Sequence, residues 1–203
     1  PNVTLVDDEN GVVSVDETGV TIARGEHFEL DVIIYATGFD SLLIPFPILG
    51  RGGVSLAEKF GANEANHYQM TRPQTLWGIH VDDMPNFHMM IGPQSFNPIT
   101  NVTILGEEQA KYIANLVKGM REAGHTHVEP SKKAVKHWTD LCSSTADGKV
   151  WLRCNNWYTK TTKTDAEAGR ERSMGMWMET YPEYLQHLLG GKGGAPGELL
   201  EFS

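Results

Sequence analysis

Asp31-Val32-Ile33-Ile34-Tyr35-Ala36-Thr37-Gly38-Phe39-Asp40 is the stretch on which the reading of this chain turns. Val32 to Tyr35 are apolar in succession instead of alternating, the pattern of an inner strand covered on both faces. The strand closes on three small residues, Ala36, Thr37 and Gly38, and a glycine there removes the Cβ that would hold a ligand away from the backbone. Open α/β sheets take ligands at the carboxyl ends of their strands, where this triplet falls. A plain strand running into a tight turn reads the same way on these residues alone.

Upstream, short β runs at Val3 to Val6, Val12 to Val15, Val20 to Ala23 and Phe28 to Tyr35 are separated by Gly-containing turns at residues 9–11, 17–19 and 24–26, which predicts an antiparallel meander. Residues 41–78 read as irregular, with a short helix near Leu56 to Phe60. A second apolar run, Phe87 to Ile91, reads as a strand leading into the Gly92-Pro93 loop, and helical periodicity follows at Ala110, Ile113, Ala114, Val117 and Met120. Thr100 or Asn101 can cap that helix and Gly124 can stop it. Ser131 to Leu141 reads as a further helix, and Met174 to Leu189 as an amphipathic segment interrupted by Pro182. Residues 143–173 show no period, and the Gly-rich stretch 190–197 reads as a flexible tail. The fold class expected is α/β: a β-meander plus inner strands of a layered sheet, followed by helices.

The 203 residues are 40% hydrophobic and 21% charged, enough apolar material for one good core or two small ones. A net charge of −9 without a Lys/Arg run gives no electrostatic reason to expect nucleic acid or an anionic membrane. No run approaches the ~20 apolar residues of a membrane-spanning helix. Cys142 and Cys154 are too few for a disulfide scaffold and fit two reduced thiols of a cytoplasmic protein. His125-Thr126-His127 lacks the further donors of a metal site, so no metal is expected. No serine or cysteine stands in a nucleophile motif. Asn2-Val3-Thr4 and Asn101-Val102-Thr103 fit the glycosylation pattern, without an export signal to make it meaningful.

An apolar strand closing on Ala36-Thr37-Gly38-Phe39-Asp40 resembles an element of class B flavoprotein monooxygenases. The similarity continues through Met84-Pro85-Asn86-Phe87, Gly92-Pro93-Gln94-Ser95 and Asn101, then Asn156-Trp157-Tyr158 and Met178-Glu179-Thr180-Tyr181. In that order these elements look like those of Baeyer–Villiger enzymes of the cyclohexanone type, over roughly residues 30 to 190. The resemblance implies the C-terminal part of a two-dinucleotide-binding-domain flavoprotein. Residues 1–30 would then be the end of the NADP domain and its meander connection, 31–125 the C-terminal part of the FAD-binding domain, and 126–203 a helical and loop extension.

The resemblance also implies chemistry: NADPH reduces FAD, the reduced flavin activates O2, and one oxygen atom is inserted beside a ketone carbonyl. Nitrogen- or sulfur-oxygenating relatives share the Ala-Thr-Gly strand and form the alternative activity. A non-catalytic interaction module is the alternative of another class. Cofactor-binding residues carried over are Thr37, Gly38, Phe39, Asp40, Gly92, Pro93, Asn101, Val102 and Trp157. Trp157 matches an aromatic that reaches the nicotinamide, although Thr159-Lys160-Thr161 departs from the family pattern after it and a core tryptophan reads equally well. Ile99 matches a substrate-lining position, where a packing residue is the other reading. A helix N-terminus near Asn101 carries about half a positive charge, suited to the charge that reduced flavin develops at its N1/C2=O edge.

No Gly-x-Gly-x-x-Gly occurs in the 203 residues, so the phosphate-binding loops are expected upstream, on the N-terminal part of the same protein. The family's catalytic arginine has no counterpart, and no catalytic residue is assigned.

Overall fold

The structure is a computed structural model, and residues 2–8, 11–36, 44–64, 69–97, 99–152, 174–190 and 199–203 are described. By backbone packing the chain divides into two compact units, 1–39 and 40–203.

In the first unit β1 (Val12–Val15), β2 (Gly19–Ile22) and β3 (His27–Glu29) form an antiparallel meander, with Val12 opposite Ile22 and Val20 opposite Phe28. The β1–β2 turn is built by Asp16, whose carboxylate accepts from the amides of Thr18 (2.8 Å) and Gly19 (3.1 Å). Gly19 is required by packing: a Cβ there would stand 1.8 Å from the Phe28 carbonyl oxygen. Val3 to Val6 does not pair as a strand. Nor does the run Val32–Tyr35, a correction to the expected inner strand. Val32, Ile34 and Tyr35 are 73%, 85% and 75% exposed, and among the described residues no backbone hydrogen bond engages residues 31–36. A strand covered on both faces depends on neighbours that its own sequence does not supply, and the described residues of this unit provide none.

The second unit holds α1 (Leu56–Lys59), α2 (Val102–Ala123), β4 (Val128–Pro130), α3 (Lys132–Thr145), α4 (Tyr181–Leu188) and β5 (Leu200–Phe202). β4 and β5 pair antiparallel, Val128 opposite Phe202. Asn101 caps α2, accepting from the Thr103 amide at 3.0 Å, and Gly124 ends it in the left-handed region at φ +78°. The buried face of α2 is Leu105, Gly106, Gln109, Tyr112 and Met120. Of the residues that carry the helical period, Met120 is buried and Ala110, Ala114 and Val117 are exposed. The helix is turned because Gln109 and Tyr112 find hydrogen-bond partners inside, so two polar side chains take core positions that an apolar count gives to others.

One core joins α2, α3 and α4 through Leu105, Val135, Trp138, Tyr184 and Leu188, together with Trp77 and Trp177. Trp138 stacks on Trp177, rings 4.9 Å apart and 11° from parallel. A second cluster packs Leu56 and Phe60 of the α1 region against Val81 and Met84. Lys59 ties that region to Asp82 (2.8 Å) and Asp83 (3.2 Å).

Phe87–Ile91 is not the expected strand. It is an extended passage with one isolated bridge, His88 opposite His80. The last segment also differs, since residues 174–180 are non-helical and Pro182 starts α4 instead of interrupting it. Proline is favoured at the first helical positions, where its missing N–H costs nothing. Thr180 and Glu183 close a reciprocal capping box around it. Thr180→Ala is expected to cost about 1 kcal/mol, read as a lower denaturant midpoint with an unchanged slope.

Candidate functional site

Residues 92–97 form a loop whose backbone is held from below, and residues 99–101 lie at the α2 N-terminus. Gly92 to Ser95 is a tight turn, with the Ser95 amide (3.3 Å) and Oγ (2.7 Å) both donating to the Gly92 carbonyl. Gly92 and Pro93 are buried. A Cβ on Gly92 would stand 2.3 Å from the Gly78 carbonyl oxygen, and one on Gly78, itself at φ +68°, would stand 2.4 Å from Ser95 Cβ. The glycine of the Gly-Pro pair is therefore demanded by protein packing.

Gln94 is the fixing point. It is fully buried and sits at φ +69°, a region costly for a side-chain-bearing residue. Its Oε1 accepts from the Thr75 amide (2.9 Å) and Thr75 Oγ1 (3.0 Å), and its Nε2 donates to the Met174 carbonyl (3.3 Å). Its amide donates to the Gly175 carbonyl at 2.7 Å, and its carbonyl accepts from Trp138 Nε1 at 3.2 Å. Segment 174–180 then runs along the loop in the same direction. The Trp177 amide donates to Phe96 (3.2 Å) and Asn97 Nδ2 to the Glu179 carbonyl (2.7 Å).

From Ile99 onward the side chains leading into α2 are at the surface. Ile99 is 88% exposed, Val102 43% and Ile104 48%, with Met90 and Ile91 alongside in sequence and also exposed. Asn101 is exposed too, and the first turn of α2 carries no acidic side chain to offset the helix dipole. An apolar rim beside a positive helix end suits a flat aromatic ring system with a negative edge. Behind the rim, Gln109 Oε1 accepts from the Ile91 amide (2.7 Å), its Nε2 donates to Tyr184 Oη (2.7 Å), and that hydroxyl donates to the Trp77 carbonyl (2.7 Å).

Gly92, Pro93, Ile99, Asn101 and Val102 thus lie within eleven consecutive residues. Thr37, Gly38, Phe39, Asp40 and Trp157 lie outside the described residues. Gln94 stood inside a recognised motif without a role, and Gln109 looked like an ordinary polar helix position. Only the absence of a charge at either place hints at burial.

A second buried group stands further along α2. His80 Nε2 lies 3.0 Å from Tyr112 Oη and His80 Nδ1 lies 3.2 Å from His88 Nδ1. Burial, and then the neighbouring His88, push the His80 pKa down to about 3; burial also lowers that of His88. Cys142 is buried and its thiol pushed up by burial, which makes it unreactive. No group of three or more metal-ligating side chains occurs among the described residues, and no described helix is long and apolar enough to cross a membrane.

No protein-family profile matches the chain. It is 31% identical over 160 residues to a Baeyer–Villiger monooxygenase of Pseudooceanicola batsensis, covering 77% of this chain and 27% of the relative. Cyclohexanone 1,2-monooxygenase of an Acinetobacter species is 29% identical over 160 residues, covering 77% and 27%. Among solved structures, OTEMO in complex with FAD and NADP superimposes with a TM-score of 0.71 at 26% identity, over 95% of this chain and 34% of that one. Cyclohexanone monooxygenase from Rhodococcus sp. Phi1 bound to NADP+ does so at 0.69 and 25%, over 96% and 34%. These likenesses place the chain among the flavin-dependent monooxygenases. Within that class it belongs to the Baeyer–Villiger family, and it spans about a quarter of the length of the curated relatives it matches.

Two consequences are measurable. Gly92→Ala sets a methyl against a backbone oxygen that no rotamer change can move, so a loss of about 2 kcal/mol or more is expected in chemical denaturation. The depressed histidines bind protons more readily in the unfolded chain. Their contribution is therefore intact above about pH 6.5 and drains away as pH falls toward about 3, at ~1.4 kcal/mol per pH unit for each histidine fully suppressed. Between pH 6.5 and 5, above the carboxylate range, His80→Gln should flatten the dependence of unfolding free energy on pH by about one proton.

Proposed function

We propose that this chain supplies the flavin-facing part of an FAD- and NADPH-dependent monooxygenase that inserts one oxygen atom from O2 beside a ketone carbonyl. The observation that carries the reading is the passage Gly92–Val102, a packed loop delivering an acid-free helix N-terminus and an apolar rim at a position the family uses for its cofactor. The residues present fit a flavin ring: exposed apolar side chains on Ile99 and Val102, and α2 amides for a negatively charged edge.

In this reading Gly92, Pro93, Asn101 and Val102 hold the isoalloxazine side, with Thr37, Gly38, Phe39 and Asp40 contributing from the end of the apolar run. Trp157 meets the nicotinamide and Ile99 lines the substrate. FAD, once reduced by NADPH, supplies the oxygen chemistry, and the protein's part is to orient the ring and bias its charge. The partner of these residues is the polypeptide that carries the nucleotide-phosphate loops, with Val32 to Tyr35 entering its sheet.

Most of the affinity for a dinucleotide comes from pyrophosphate on a Gly-rich loop, and losing even ~4 kcal/mol of such contacts weakens binding about a thousandfold. The 203 residues alone are therefore expected to be colourless, to bind FAD no tighter than micromolar in a fluorescence titration, and not to oxidise NADPH. Grafted in place of the homologous quarter of the Acinetobacter cyclohexanone monooxygenase, they should restore a yellow protein that turns a ketone into an ester. A graft that retains flavin but oxidises only amines or sulfides would move the assignment to the nitrogen- and sulfur-oxygenating relatives. One that folds without retaining flavin would remove it.

A further inference from the structure

Tyr112 lies on the buried face of α2 with its hydroxyl 3.0 Å from His80 Nε2, and His80 offers its other nitrogen to His88 at 3.2 Å. The direction of this relay follows from counting donors. If His80 donated to Tyr112, the phenol proton would have no acceptor among the described residues, at a cost of about 1–3 kcal/mol. Tyr112 therefore donates to Nε2 of a neutral His80, His80 Nδ1–H donates to His88 Nδ1, and His88 carries its own proton on Nε2. Burial holds His80 neutral at ordinary pH, so its Nε2 lone pair can accept from the phenol, and because burial disfavours the imidazolium a proton taken there is passed on to His88. Tyr112 and His80 are 9% and 1% exposed, while the His88 ring is only half buried, so the relay leads from core toward solvent.

A hydroxyl that merely needed satisfying would be served by one carbonyl. Two imidazoles in series add something else, a path by which a proton can leave and return. The phenol does not use that path by simple ionisation, because burial pushes its pKa far above the usual tyrosine range.

An electron has a path of its own. The Trp77 ring meets Tyr112 edge-on at 5.7 Å, and the Trp77 carbonyl accepts from Tyr184 Oη at 2.7 Å. Tyr184 meets Trp138 edge-on at 6.1 Å, and Trp138 stacks on Trp177 at 4.9 Å.

We propose that Tyr112 is a redox-active tyrosine, which gives up one electron through the Trp77 side and one proton through His80 and His88. A one-electron oxidant of the hydroxyl- or peroxyl-radical class takes the electron, directly or by way of Trp77, and is reduced by it. The Tyr112 O–H bond breaks and its proton forms a bond to His80 Nε2. His80 passes its Nδ1 proton to His88 Nδ1, and His88 releases its Nε2 proton to water. The product is a neutral phenoxyl radical, with one proton delivered to solvent. Neutrality matters, because losing the electron alone would leave an uncompensated charge in the core. The proposal does not depend on the flavin reading, since an external oxidant can drive it.

The test uses the 203-residue chain carrying Tyr35→Phe, which removes an exposed competing tyrosine, oxidised by a flash-generated ruthenium(III) tris-bipyridine. Electron paramagnetic resonance should show a neutral tyrosyl radical. In Tyr112→Phe that signal should fall at least fivefold in favour of tryptophan radicals, with circular dichroism unchanged. In His88→Gln and in deuterium oxide the radical should form at least twofold more slowly. An undiminished tyrosyl yield in folded Tyr112→Phe would overturn the proposal. Should that variant fail to fold, a formation rate insensitive both to His88→Gln and to deuterium oxide would overturn it equally.

Discussion

A buried carboxamide in the left-handed region is the constraint around which the second unit is arranged. Gln94 occupies φ +69° and is fully buried, a combination that persists only where its surroundings over-determine it. Thr75, Trp138 and the adjacent pair Met174 and Gly175 all bond to its side chain or backbone, so three stretches distant in sequence converge on one residue. The low dielectric that strengthens those bonds would make any one of them costly to leave unmade. The conformation of the loop from Gly92 to Asn97 follows from them.

That loop sets where α2 begins. Asn97 closes the passage to Ile99, its Oδ1 accepting from the Ile99 amide at 2.8 Å, and Asn101 caps the helix two residues on. Gln109 and Tyr184 then fix the helix against the segment before the loop, so both ends of the passage are tied to one core. Exposed at that end, among the described residues, are the capped helix start, Ile99, Val102 and Ile104. Rigidity below and exposure above are what the proposed cofactor-orienting role would require.

Tyr112 lies ten residues along α2 from Val102, about 15 Å at the helical rise. The helix thus carries an anion-suited end outward and a phenol–imidazole relay inward. Both belong to one face-and-end geometry, because turning the helix to bury Gln109 also buries Tyr112.

Much of the local structure was legible in the sequence. The meander, the short helix at Leu56, the Asn101 cap and the Gly124 stop depend on hydrogen bonds and backbone conformations within a few residues of one another. The family resemblance was legible too, because its motifs are short and ordered. Val32 to Tyr35 shows where such reading ends: an unbroken apolar run says what a strand would need on its faces and nothing about who provides it. Phe87 to Ile91 failed as a strand for a related reason, since its bonds go to Ile79 and Gln109 singly instead of to a ladder. The buried face of α2 was not legible, because apolar periodicity cannot see that Gln109 and Tyr112 would find partners 75 and 32 residues away. The sequence by itself determined caps, turns and kinship, which are local or inherited patterns. Which polar groups could afford burial was decided only by the tertiary structure, because that depends on partners brought together from distant parts of the chain.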